Sequence, residues 1–483
     1  MKELAQHALN AAELAGASYA DIRIINEDSE HLDVKDGKVG SVNRATSAGF
    51  GVRVIADGAW GFAASPTITR DEIDRVARLA VKVAKASARL KVKDVALVPA
   101  ERYTDRYVTP HAKNPLDVPL SQKLEILLRA DEIMRRVAGV TITEGMLESW
   151  VEDQLFASSL GSLIEQRIIQ CGGGYTATAV RGNDVQYRSY PCSHGGQYES
   201  RGFELIEELD LPGHAEQCGQ EAVALLSAKE CPHGRKDIIL EGSMLSLQIH
   251  ESVGHPLELD RVLGSEANYA GTSFATTDNL GKLHYGSEAV TIVSDPTCPA
   301  GLGSFGYDDE GIKAQKYDLI KNGLLVDYLS SRETAREIGK PSTGAMRADG
   351  WENMPIVRMT CINLLPGQKT LAELIADTAD GIYLASDKSF SIDDRRSNFQ
   401  FGTEIAWEIK NGKLGDMIKN ATYTGITTEF WNACDAVCGQ SDWRIWGTAN
   451  CGKGEPGQTA RTAQGCAPAR FRNIQVGVIP DHK

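Results

Sequence analysis

Asp36-Gly37, Asp57-Gly58, Asn322-Gly323 and Asn411-Gly412 each lie between runs rich in β-favouring residues. An Asx-Gly pair supplies the two positive-φ positions of a tight hairpin turn, so these stretches are committed to antiparallel pairing. Helical signals are interleaved with them. Residues 2–15 carry apolar side chains at helical spacing. Thr69 precedes Glu72 by three, a capping-box pattern that starts a helix running to about Lys91. Further helices are predicted over Leu120–Val137 and from about Pro212, a favoured first-turn proline, to Ala228. Pro99, Pro110, Pro115 and Pro119 mark 92–119 as a connecting segment. Residues 140–200 and most of the chain beyond 285 read as strands. At 483 residues the chain exceeds one ordinary core. The expectation is an α+β protein in three parts: an N-terminal helix and antiparallel-sheet domain (1–110), a central α/β segment (111–232), and a large, mostly antiparallel, β-rich C-terminal domain (233–483).

The net charge of -14 repels phosphate backbones, and no Lys/Arg run offsets it, which argues against a nucleic-acid partner. No stretch approaches the roughly 20 apolar residues of a membrane span. The N-terminus lacks the basic start and unbroken apolar run of an export signal, so the chain reads as cytoplasmic, with no membrane partner. Ten scattered cysteines then read as reduced thiols, one or two of them available to a metal. Cys434 and Cys438 have no matching second pair and read as buried small residues. Trp431, Trp443 and Trp446 read as packing residues.

The sharpest local pattern is His250-Glu251-Ser252-Val253-Gly254-His255, at the end of an apolar helical segment that Ser243 is placed to cap. Histidines four apart share a helix face, but these are five apart, roughly 140° around a regular helix. Gly254 and Pro256 suggest the remedy: the helix stops near Val253, the chain reverses, and His255 swings toward His250. Catalytic zinc takes three protein ligands and one open position. The third ligand is open at this point between Glu258, Asp260 and a distant cysteine. Glu251 is placed to take a proton from zinc-activated water. An isolated H-E-x-x-x-H hexapeptide also arises by chance. Near the C-terminus, Asn450–Gln458 reads as a Gly-rich loop presenting Cys451, followed by an alternating strand at Ile474–Val478.

HESVGHPLELD, GSFGYDDEG at 303–311, the segment from Ser342 to Gly367, CGKGEPGQ at 451–458 with PARFRNIQVG after it, and GFGVRVIADGAWGFAAS at 49–65 together resemble the TldD/PmbA proteins along essentially the whole chain. The intact H-E-x-x-x-H pattern is similar to the catalytic TldD-type members rather than the PmbA-type (TldE) members that lack it. The resemblance implies a zinc metallopeptidase with Zn2+ held by His250, His255 and Cys451, and Glu251 as the base; Cys466 lacks the following Gly-Lys-Gly. It further implies peptide substrates bound in extended form, and a dimer of two such chains or with a PmbA-type chain. Arg347 and Asp309, the latter in the Tyr307–Glu310 loop, would line the cleft or form a structural ion pair. The competing reading is a non-catalytic peptide-binding or regulatory partner subunit that keeps the fold. A role in modulating a DNA topoisomerase, an old label for the family, finds no support in the acidic balance.

Overall fold

In the computed structural model, which describes residues 1–477, the predicted hairpins organise one long sheet. Its strands are β1 (Tyr19–Lys35), β2 (Lys38–Ala56), β3 (Ala59–Ser65), β4 (Thr104–Val108), β5 (Val140–Ser158), β6 (Leu163–Arg181), β7 (Asp184–Tyr190) and β8 (Gln197–Glu199). The order is β3-β2-β1-β5-β6-β4, with β7 and β8 also on β6. Asp36-Gly37 turns β1 into β2, and Asp57-Gly58 turns β2 into β3. Tyr19–Lys35 runs as one continuous 17-residue strand. One difference from expectation stands out. The proline-rich segment 92–119 contains β4, which adds to the sheet edge parallel to β6. Because β1 pairs with β5, residues on both sides of position 110 share this sheet.

The sheet is covered on two faces, which alternation alone does not predict. Ala20, Ile22 and Ile24 pack beneath the helices Lys2–Leu14 and Arg70–Ser87. Thr69 caps the latter, accepting from the Glu72 backbone N–H as the sequence suggests. Burying each isoleucine side chain contributes roughly 1.5–3 kcal/mol. On the opposite face Asp21, Arg23 and Arg53 are almost fully buried against the C-terminal part. Arg53 bonds Asp21 at 2.7 Å and Glu310 at 3.2 Å, and Arg23 donates to the Gly350 carbonyl at 3.2 Å. Charged residues at these in-facing positions therefore join the two halves. Helices Leu120–Arg136 and Leu211–Leu225 cover the far end of the sheet.

The C-terminal part holds a second eight-stranded sheet. Its path runs Asp380–Ile392, Gly234–Leu240, Ala469–Val476, Thr422–Ile426, Asn398–Lys410, and Asp380–Ile392 also pairs with Asn398–Lys410. The path thus closes on itself, which removes exposed edges. All but the pairing of Gly234–Leu240 with Asp380–Ile392 within this ring is antiparallel. With 23% helix and 42% strand, mostly antiparallel, the protein is α+β. Strand Ala469–Val476 occupies the place expected for the last alternating strand, whose final residue, Val478, lies outside the described residues. Trp431, Cys434 and Cys438 are buried packing residues, and all ten cysteines are free thiols.

Candidate metal centre

Strand Gly234–Leu240 feeds directly into helix Gly242–Ile249, whose eight residues are all buried. A helix apolar on every side belongs inside. Its cap is not Ser243 but Glu241, whose carboxylate accepts the Ser243 N–H at 2.7 Å. The chain does not reverse at Val253. Instead, His250–Gly254 forms a single π turn, closed by the His255 N–H donating to the His250 carbonyl, and His255–Leu257 continues as a 3₁₀ turn. A π turn bonds residue i to i+5, so it stacks residues five apart on one face. That solves the spacing problem without a break. Gly254 has ordinary helical dihedrals; its role is close approach, since a Cβ there would lie 2.0 Å from Met359 Sδ. Pro256 is accommodated in the first turn of the 3₁₀ segment, and the helical run ends at Glu258, in extended backbone.

Cys451 also differs in setting from expectation. It lies on strand Arg444–Lys453, opposite Ala460 of strand Gln458–Cys466 and beside a register shift, so only 454–457 form a turn. The three donors converge nonetheless. Ligand atoms of His250, His255 and Cys451 all lie within 4.8 Å of one another, and all three residues are buried. Cys451 Sγ is 3.6 Å from His255 Nε2. Zn–S and Zn–N bonds of about 2.3 and 2.0–2.1 Å at a tetrahedral angle require roughly that separation. The two imidazole rings meet edge to face, 5.0 Å apart. His250 Nδ1 is buried with no hydrogen-bond partner among the described residues. Leaving such a nitrogen unpaired costs about 1–3 kcal/mol, so this ring is not placed by protein hydrogen bonding alone. A nitrogen–nitrogen–thiolate donor set of this geometry fits zinc.

The supporting shell was not legible in the sequence. Glu258 and Asp260, open candidates for the third ligand, are not part of the cluster. Glu258 accepts from His255 Nδ1 at 2.9 Å, which turns Nε2 toward Cys451. Asp260 takes the Lys453 ammonium at 2.6 Å, and that ammonium also lies 3.5 Å from Glu258 and donates to the Val357 carbonyl. Burial works against a charged Glu258, yet Lys453 and His255 hold its pKa far down. Burial likewise opposes the Cys451 thiolate, but His250, His255 and Arg358 lower its pKa well below the ordinary thiol value. Burial lowers His255, and Cys451 and Glu258 outweigh it, raising the ring to about 9. Arg358 also holds the strand in place by donating to the carbonyls of Cys451 and Gln458.

Glu251 is buried and ion-paired through Oε2 to Arg396. Against the cost of burial, His255, His250 and Arg396 together lower its pKa, which keeps the carboxylate ionised. Arg396 sits in the turn between Asp380–Ile392 and Asn398–Lys410 and carried no sequence signal. Asp393 shapes that turn, its carboxylate accepting the backbone N–H groups of Arg395, Ser397 and Asn398.

Arg347 and Asp309 lie elsewhere, lining one cavity between the first sheet and the C-terminal part. No ion pair joins them among the described residues. Arg347 Nη1 donates to the carbonyls of Met359 and Arg461, at 3.1 and 2.6 Å. Asp309 accepts from Gln154 and from the Ala348 N–H, each at 2.7 Å. In the same cavity, burial and then Glu27 raise the Glu152 carboxyl to about 7, with Arg461 pulling the other way. A carboxyl that holds its proton more tightly folded than unfolded destabilises the fold as pH rises from about 4.5 to about 7. Glu152→Gln should therefore remove about 1–3 kcal/mol of stability loss across that window, allowing for solvent in the cavity. Urea melts of both proteins at pH 5 and pH 8 check this; equal pH dependence would refute it.

The profile of the PmbA/TldA metallopeptidase C-terminal domain matches residues 233–478, with domain 1 of the same family at 20–84 and its central domain at 113–229. A protein of Methanothermobacter thermautotrophicus named a metalloprotease is 33% identical over 460 residues, covering 95% of each chain. One of Saccharolobus solfataricus, named a zinc metalloprotease TldD homolog, is 22% identical over 97% of this chain and 98% of its own. The crystal structure of TldE from Thermococcus kodakarensis superimposes with a TM-score of 0.74 at 16% identity, over 98% of this chain and all of that one.

Proposed function

The chain belongs to the PmbA/TldD metallopeptidase family, and from that premise we propose that it is a zinc-dependent peptidase with His250, His255 and Cys451 as ligands and Glu251 as the base. What carries this reading is the meeting of three buried donors, two from one helical run and one from a strand far downstream, within 4.8 Å of one another, beside an ionised carboxylate. The C-terminal part, 233–483, would form the peptidase domain, with 1–110 and 111–232 as the other two.

Zinc held there supplies Lewis-acid chemistry, polarising a carbonyl and lowering the pKa of water. The protein's own residues do the rest. Arg396 holds Glu251 by Oε2 and leaves Oε1 free to take the proton of the attacking water and return it to the leaving amine. Glu258 fixes the His255 tautomer, and Lys453 keeps Glu258 charged. The substrates are unfolded or short peptides, including modified precursors, bound in extended form. Among the described residues, strand Arg444–Lys453 pairs in its sheet only with Gln458–Cys466, leaving an edge suited to strand addition beside Cys451.

The working assembly is a dimer, of two such chains or with a TldE-type chain, in the cytoplasm. No helix among the described residues is long and apolar enough to cross a membrane. The second reading, a non-catalytic peptide-binding subunit, predicts no hydrolysis at any zinc load. Chelation should abolish cleavage of an unfolded test peptide, and one equivalent of zinc should restore it. Peptide left intact by the zinc-loaded protein, or cut equally well after chelation, would defeat the proposal.

A further inference from the structure

Strand Arg444–Lys453 carries Cys451 to the metal centre. At its start, the outer edge of this strand is held by a side chain from the other half of the protein. Gln197 Nε2 donates to the Ile445 carbonyl at 2.8 Å, and the Gly447 N–H donates to Gln197 Oε1 at 3.1 Å. Residues two apart in a strand point their N–H and C=O groups to the same side, so Ile445 and Gly447 are the first outward-facing residues here. A carboxamide carries an acceptor and a donor, as a peptide group does. Gln197 therefore makes the two bonds that an added strand would make at this place.

The amide is fixed in this orientation. The Ile445 carbonyl can only accept and the Gly447 N–H can only donate, and Nε2 also donates to Glu199 Oε1 at 3.1 Å. Gln197 is 5% exposed and opens the short strand β8, which pairs with β6 at Cys171–Gly173. β8 presses closely on the hairpin: a Cβ at Gly447 would lie 2.0 Å from the Tyr198 carbonyl oxygen. Further along, the edge is open. Among the described residues no side chain bonds the backbone of Thr448, Ala449 or Asn450, and Ala449 borders the cavity between the first sheet and the C-terminal part.

We propose that Gln197 is the end stop of the substrate cleft: it occupies the strand edge at Ile445 and Gly447 and limits how far a bound peptide extends from the scissile bond in that direction. This inference rests on the peptidase reading, with the scissile bond at the metal beside Cys451. From Gly447 to Cys451 the strand rises about 13 Å at about 3.3 Å per residue, and the register shift between Thr448 and Cys451 shortens the path. A peptide paired along this edge has room for about four residues on that side. A longer one must displace Gln197, breaking both bonds and leaving a buried amide unpaired. Gln197 is bonded to none of His250, Glu251, His255 or Cys451, so it sets specificity without entering the chemistry.

The test is a length series on the full-length, zinc-loaded protein. The cut in an unfolded test peptide is located by mass spectrometry, and alanines are then added one at a time on each side of it. On one side kcat/KM should rise up to about the fourth residue and then level off or fall. In Gln197→Ala this break should move out by about two residues, each adding about threefold or more, while the profile on the other side keeps its shape. Gln197→Asn, one methylene too short to reach both groups, should move the break the same way and serves if the alanine variant fails to fold. A side chain that only joins the two halves would change kcat/KM by one factor at every length, and that result overturns the proposal. So does a parent profile with no break on either side, or a break that neither variant moves. Cleavage with any of these profiles leaves the peptidase reading intact; peptide left uncut at every length ends both.

Discussion

Glu251→Gln is expected to lower kcat for peptide hydrolysis by about 10²–10⁴-fold, the usual contribution of a positioned general base, while zinc stays stoichiometric. Glutamine keeps the side chain's volume and a hydrogen bond to Arg396 but cannot accept a proton at Oε1. The carboxylate is not a member of the three-donor cluster, so its loss separates chemistry from metal binding. Initial rates on an unfolded peptide, with metal content by mass spectrometry, decide the matter. An unchanged rate would remove Glu251 from the reaction, and loss of zinc together with the rate would make it a ligand or a structural support instead.

Lys453→Met should produce the largest loss of stability. The Lys453 ammonium is completely buried, 2.6 Å from Asp260, 3.5 Å from Glu258 and 3.9 Å from Glu266. Removing it leaves buried carboxylates that Arg261 and Arg358 only partly balance. Breaking a buried ion pair from one side costs about 3–5 kcal/mol. At roughly 2–4 °C per kcal/mol in a domain of this size, Tm should drop by about 6–20 °C. Because Glu258 orients His255, zinc affinity should also fall, by about 10–100-fold. Calorimetry and chelator competition measure the two effects. A Tm within about 2 °C of the parent would show that Lys453 does not balance these acids.

The supporting residues of the metal centre illustrate where reading a linear chain stops. Lys453 lies two residues after a candidate ligand and looks like a solvated turn residue; only the folded chain puts it among Glu258, Asp260 and Glu266. The same holds for Arg396, which reaches Glu251 from a turn 145 positions downstream. Glu258 and Asp260 looked like possible ligands because they follow the histidines closely. Their actual partners come from His255 and from the distant Lys453.

Local chemistry, by contrast, was enough for the hairpins. Asp36-Gly37, Asp57-Gly58, Asn322-Gly323 and Asn411-Gly412 turn neighbouring strands as read, because turn conformation depends on the residues in the turn itself. The first helix, the Thr69 cap and the mixed α+β class follow for the same reason. So did the expectation that two histidines five apart need a departure from α-helical geometry to share a face. The form of that departure was decided in three dimensions. Glycine and proline together suggested a break, but Met359 packed against Gly254, and the buried run of helix before it, favour a π turn over a reversal. Burial of both sheet faces, closure of the second sheet into a ring and the cavity holding Glu152 and Arg347 were likewise beyond the sequence, since each depends on which distant surfaces meet, and no nearest-neighbour preference along the chain encodes that.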